Sequence, residues 1–145
     1  MPALGTGSLA LLVGASLSAL AALAHLACIV IGAPAYRFMG AGERVAHAVE
    51  AGQLRPTLVT LAVAGVLLVW AGFALSAAGV VGPLPFTKLA LVAISTAYLV
   101  RAVAFPLIKS HFPGNSNTFW LVSSGICGLI GLLHAYGTLS LWRTL

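Results

Sequence analysis

Apolar residues fall into four long runs along the chain, at 8–32, 56–79, 84–108 and 118–142. About 20 such residues in an α-helix cross a hydrocarbon layer roughly 30 Å thick. The residues between the runs punctuate them. Pro34 follows the first run, and Pro56 stands where the first turn of a second helix tolerates a missing N–H. The 79–85 stretch, rich in Gly and Pro, turns tightly into the third run. A polar loop at 113–117 precedes the fourth, with Asn117 or Thr118 placed to cap it. The pattern predicts an all-α protein, an integral membrane four-helix bundle forming one domain over 1–145.

Between the first two runs lies a polar stretch at 40–53. Read as a helix, it puts Glu43, His47 and Glu50 on one face and Val45 and Val49 on another. That is a short amphipathic helix lying in the membrane interface.

Composition settles the solvent. The chain is 61% hydrophobic and only 6% charged, with Lys and Arg numbering 7 and Asp and Glu 2. A soluble domain carries about 25% charged residues, and these few cannot cover a water-facing surface. The net charge of +5 does not suggest nucleic acid, because the basic residues sit singly at the edges of apolar runs. They read as topology and headgroup contacts. Cys28 and Cys127 fall inside runs and act as small apolar residues, with no CxxC to suggest thiol redox chemistry. No Lys or Arg precedes Ser8, and the first run is long enough to span, so it reads as a retained helix despite Ala33-Pro34-Ala35.

Four spans place both termini and the 80–84 turn on one face, side A, and loops 33–55 and 109–117 on side B. Side B carries Arg37, Arg44, Arg55 and Lys109, with Arg101 just inside, whereas side A carries Lys88 and Arg143. The positive-inside rule then puts side B in the cytoplasm of a bacterial inner membrane and the termini outside. Tyr36, Phe38, Phe112, Phe119 and Trp120 are expected in an aromatic belt on side B. Small residues four apart, Gly14/Ser18/Ala22, Gly72/Ser76 and Ser124/Gly128, are expected to pack helices within the bundle or against partner subunits.

Candidate chemistry gathers toward side B. Arg101 lies about 10 Å inside the third run, at a depth where a charge must snorkel or find a partner. Glu43 or Glu50 is the expected counter-charge, and Tyr98 is expected on the same face as Arg101. His25 falls at nearly the same depth, with Thr57 and Thr60 on the first turns of the second helix. These residues, with His47, outline a polar pocket open to side B. A metal is not expected, since Glu43, Glu50 and His47 would need further ligands and only His111 offers itself. His25 and His134 do not suit a shared haem, because their depths differ by over about 10 Å on antiparallel helices. Each is expected to hydrogen-bond a neighbouring helix instead. No cofactor follows from the sequence. The spans hold no carboxylate for proton-coupled transport.

Glu43-Arg44-x-x-His47-x-x-Glu50 ahead of Pro56, with Tyr98-x-x-Arg101 on the third span, resembles the MAPEG family of four-span, glutathione-handling membrane enzymes. The resemblance implies a thiol-conjugate site at this helix entrance. His47 stands where that family has Asn, and Glu43 where it has the leading Arg, with Arg44 one place out of register. The first expectation for function is therefore a non-enzymatic accessory or interaction subunit of a membrane complex, contacting lipid, other subunits or its own copies. The alternatives are an enzyme or carrier for an amphiphile (lipid, quinone or thiol conjugate) and a haem-containing redox subunit.

Overall fold

The computed structural model describes residues 4–145, and it is all-helical, with no strand among them. Four elements form the bundle: α1 (Thr6–Ile31), α4 (Arg55–Ala77), α5 (Thr87–Val103) and α7 (Asn117–Ser140). Two short helices, α2 (Ala33–Phe38) and α3 (Glu43–Glu50), link α1 to α4, and α6 (Phe105–Ile108) runs into a 3₁₀ turn, Lys109–His111. α1, α4 and α7 are each long and apolar enough to cross a membrane, and α5 with α6 makes a fourth candidate span.

The boundaries follow from local chemistry. α1 stops at Gly32, whose φ of +92° a residue with a Cβ rarely adopts, and Pro34 enters α2 in its first turn. Ser116 caps α7, its Oγ accepting the Phe119 N–H at 3.0 Å, one residue earlier than the sequence suggests. Ser76 holds the α4–α5 turn by donating to the Gly82 carbonyl and accepting from the Leu84 N–H.

Two expectations are corrected. The single helix expected over 40–53 is shorter, Glu43–Glu50, because Gly40, Gly42 and Gly52 take φ of +80°, +89° and +71° on either side of it, and a separate short helix, α2, precedes it. The third span is not straight over 84–108. α5 ends at Val103 and the chain bends by 64° into α6. The break falls at Ala104, and Pro106 in the first turn of α6 has no N–H to carry the α5 ladder on to the Ala102 carbonyl.

Around the bundle the order is α4–α1–α7–α5, with α4 and α5 touching less closely. Leu11, Ala15, Ala64, Ala71, Leu91, Ile94, Tyr98 and Ile130 form its apolar centre. Outward faces stay apolar, with Leu20, Val59, Val69, Leu129 and Leu132 exposed. Burying such side chains contributes most of a soluble fold's stability, and an apolar surface of this extent is compatible with a lipid surround.

The seam between α1 and α7 is uneven. Toward side A it is closed by residues that permit backbone contact. Gly7 lies against Ser140, Gly14 against the His134 ring, and Gly137 against Leu11. Toward side B, where α1 carries His25 and α7 carries Phe119, Ser123 and Ile126, the helices part.

Candidate functional site

The parting of α1 and α7 leaves a cavity of about 800 Å³ at the side B end. His25 of α1, Arg101 of α5 and Ser123, Ile126 and Cys127 of α7 line it, with Phe38, Met39 and the 114–116 loop at its mouth. His25 and Arg101 thus meet in one cavity as their depths suggest. The other members expected there go elsewhere.

Arg101 is half-buried, and its guanidinium carbon stands 5.5 Å from the centre of the Trp120 ring. Nη1 donates to Ser124 Oγ at 3.5 Å and Nη2 to Ser123 Oγ at 3.4 Å, both long contacts. Neither Glu43 nor Glu50 is its counter-charge. Arg37 holds both, with Nε 3.0 Å from Glu43 Oε1 and Nη1 2.9 Å from Glu50 Oε1. That clasp bridges α2 and α3 at the surface, and the Arg37 hydrogen bonds hold the Glu43 carboxyl below the usual range. His47 lies 3.5 Å from Glu43 on the exposed edge of α3, away from the cavity. Since the chain holds no other Asp or Glu, Arg101 has no side-chain carboxylate to meet.

Tyr98 does not share the Arg101 face. It turns into the bundle centre, its hydroxyl 2.7 Å from Ser18 Oγ and its ring against Trp70 and His134. A residue three positions before Arg101 lies about 60° round the helix, enough to put the two on opposite sides of a packed contact. Thr60 is buried, donating to the Pro56 carbonyl and meeting the Tyr36 hydroxyl at 2.9 Å, which pins α2 to α4. Thr57, half-buried beside it, does not reach the cavity. Of the aromatic residues at this end, Tyr36 and Trp120 are buried against the bundle and Phe38 is exposed.

The two span histidines hydrogen-bond their own helices rather than neighbouring ones. His25 Nδ1 lies 2.7 Å from the Ala21 carbonyl and His134 Nδ1 2.8 Å from that of Ile130. A carbonyl accepts only from N–H, so Nδ1 carries the proton in each. His134 is fully buried and its Nε2 has no partner. Because His134 packs on Gly14, it stands about three helical turns, roughly 16 Å, from His25 along α1. That is too far for both rings to bind one iron. Among the described residues no group of three or more His, Cys, Asp or Glu is placed to hold a metal ion.

Sequence reasoning missed the α7 wall, Phe119, Ser123, Ile126 and Cys127. The Ser123-Ser124 pair at the depth of Arg101 is the signal that marks it. It missed Arg37 as the partner of both glutamates, since that pairing needs the fold of α2 on α3. Comparison of the chain with protein-family models, curated proteins and solved structures returns no match.

Proposed function

We propose that the chain is an integral protein of the bacterial inner membrane that binds an anionic amphiphile, with the anionic head on Arg101 and the chain between α1 and α7. One observation carries this reading. Arg101 faces a cavity of about 800 Å³ with two long serine contacts, while Arg37 occupies the only two acidic side chains in the sequence.

A guanidinium offers five N–H donors in a planar fork that matches a phosphate or carboxylate. Held at hydrocarbon depth without a counter-charge, it is costly, and an anion at the same place offsets that cost. Ser123 adds a hydroxyl beside it, and His25 presents its other ring nitrogen to the same space. Ile126, Val122, Phe119, Phe38 and Met39 give it an apolar wall, while Arg37 and the polar groups of Asn115, Ser116 and Thr118 also line it. Few polar groups at one end of an apolar cleft of several hundred cubic ångström are the make-up of a small-molecule site. Arg44, Arg55 and Lys109 on the same face favour side B as the cytoplasmic side, with the termini outside.

The accessory-subunit reading rests on outward faces of small residues. Gly14, Ser18, Ala22, Gly131 and Gly137 are spent inside the bundle, and Gly65, Gly72 and Gly125 are the helical glycines with open space beside them. The amphiphile reading therefore takes precedence.

The test is mass spectrometry of what co-purifies in mild detergent with the wild type and with Arg101→Gln. The wild type is expected to retain an anionic amphiphile. The variant should retain at least about tenfold less, the loss of a charge-assisted hydrogen bond, while unfolding at a similar temperature. Equal loads in both proteins, or only uncharged and zwitterionic lipid in the wild type, reject the proposal.

A further inference from the structure

The cavity has an open side as well as a mouth. His134 and Gly137 face α1 in the closed half of the seam, against Gly14 and Leu11. Three turns nearer side B, the same face of α7 presents Ser123 and Ile126, and there it lines the cavity together with His25 of α1. Val122 and Ile126 belong to that wall and are also 57% and 53% exposed. Ile126 sits about 13 Å along α7 from Asn117, well within hydrocarbon depth. Phe38, at the top of the same opening, is 82% exposed. The gap therefore faces the acyl region of the side B leaflet as well as the water above it.

From this we infer that the occupant is an anionic phospholipid of the side B leaflet, drawn in sideways between α1 and α7. Its phosphate sits on Arg101, and an acyl chain lies along Ile126, Val122 and Phe119 toward Phe38. This rests on the amphiphile reading above and adds the class of ligand and its route. Charge selects the anionic lipid. The side B rim carries Arg44, Arg55 and Lys109, with the two glutamates there taken by Arg37, so anionic headgroups concentrate where the opening lies. The open side selects a lipid over a soluble anion. A solute needs only the mouth, and an apolar wall facing the bilayer at acyl depth adds nothing to its binding.

The test uses full-length protein in phosphatidylcholine vesicles containing phosphatidylglycerol with a diazirine in its acyl chain, and a matching phosphatidylcholine probe. After illumination, adducts are mapped by residue. With the phosphatidylglycerol probe, adducts at Phe119, Val122 and Ile126 are expected to exceed those with the phosphatidylcholine probe about tenfold. Arg101→Gln should remove that excess. Adducts at Leu132 and Leu139, outward on the same helix, should be equal for both probes and unchanged in the variant, which reports an intact bundle. Glycerol phosphate added to the water should not compete.

Equal labelling of the α7 wall by the two probes overturns the inference, as does displacement by glycerol phosphate, which would mark a soluble anion. If Arg101→Gln loses its co-purified amphiphile while the wall gains no adducts, the route is wrong and the head-group reading stands. If neither changes, both fall.

Discussion

Gly14 carries no side chain, and His134 occupies the space one would need. A Cβ built on Gly14 would stand 2.8 Å from His134 Cε1 and 2.9 Å from Nδ1. Because His134 is walled in by α1, α5 and its own helix, the ring has little room to retreat. Gly14→Ala is therefore expected to lower stability by about 1–3 kcal/mol, the usual cost of over-packing a tight core, seen as a lower unfolding temperature in detergent. Gly65→Ala, with open space around its Cβ, should be neutral or stabilising through higher helix propensity. The small-residue spacing around Gly14 was legible in the sequence, since a glycine two turns into an apolar run has few other uses. The hydrogen bonding of His134 was not. Deep in an apolar bundle the nearest acceptor is the carbonyl one turn back on the same helix, and Ser95, Thr60 and Thr138 make the same choice. That leaves Nε2 bare, a buried acceptor whose isolation costs about 1–3 kcal/mol.

At the scale of elements, the α2–α3 pair and the bend after α5 decide how side B is built. Arg37 joins the pair through both glutamates, and its hydrogen bonds depress the Glu43 carboxyl. A carboxyl depressed in the folded state stabilises at pH above its ordinary value, near 4.3, and loses that contribution as pH falls through its folded value. Protection of the α2 and α3 amides, measured against the intrinsic exchange rate at each pH, is expected to be steady at neutral pH and to fall below about pH 4, with no matching change in α4. Glu43→Gln should remove most of that dependence. At the bend, Pro106→Ala restores a donor and relieves the clash with the preceding turn. Exchange at 107–109 is expected to slow by at least about tenfold, as α5 extends through a site where Pro disfavours helix by about 3 kcal/mol. Three membrane-length apolar helices, a fourth candidate in α5 with α6, and an amphipathic connector were legible because length and polarity alone define them. The bend was hidden inside a run of apolar residues, where hydropathy does not register a missing N–H.

Across the whole molecule the charges are unbalanced in a consistent way. The sequence has seven basic and two acidic side chains, and both acids belong to Arg37. Anionic amphiphile added to delipidated protein should raise stability by RT ln(1 + [L]/Kd), about 2.7 kcal/mol at a hundredfold excess over Kd, while a zwitterionic one of equal chain length should not. Arg101→Gln should abolish the difference in unfolding temperature. His25 and Arg101 line one cavity, although the depth counted for Arg101 assumed a run to 108 that in fact bends by 64° after Val103. Depth counting could not find Tyr98 or the glutamates, whose direction depends on which neighbour each helix face meets.

The uneven seam between α1 and α7 makes the bundle a lever. The helices bear on one another from Gly7 to Gly14, and the last of these contacts toward side B, Gly14 on His134, stands about 10 Å from Gly7 and about 16 Å from His25 along α1. Anything that forces the side A ends apart tips the side B ends together around that fulcrum, amplified by the ratio of the arms. A Cβ at Gly7 would stand 2.6 Å from Ser140 Cβ and supplies such a wedge. Gly7→Ala, far from every cavity residue, is expected to pinch the cavity shut and slow alkylation of Cys127 by a maleimide. On that prediction the width of the cavity at the side B end follows the packing at the side A end.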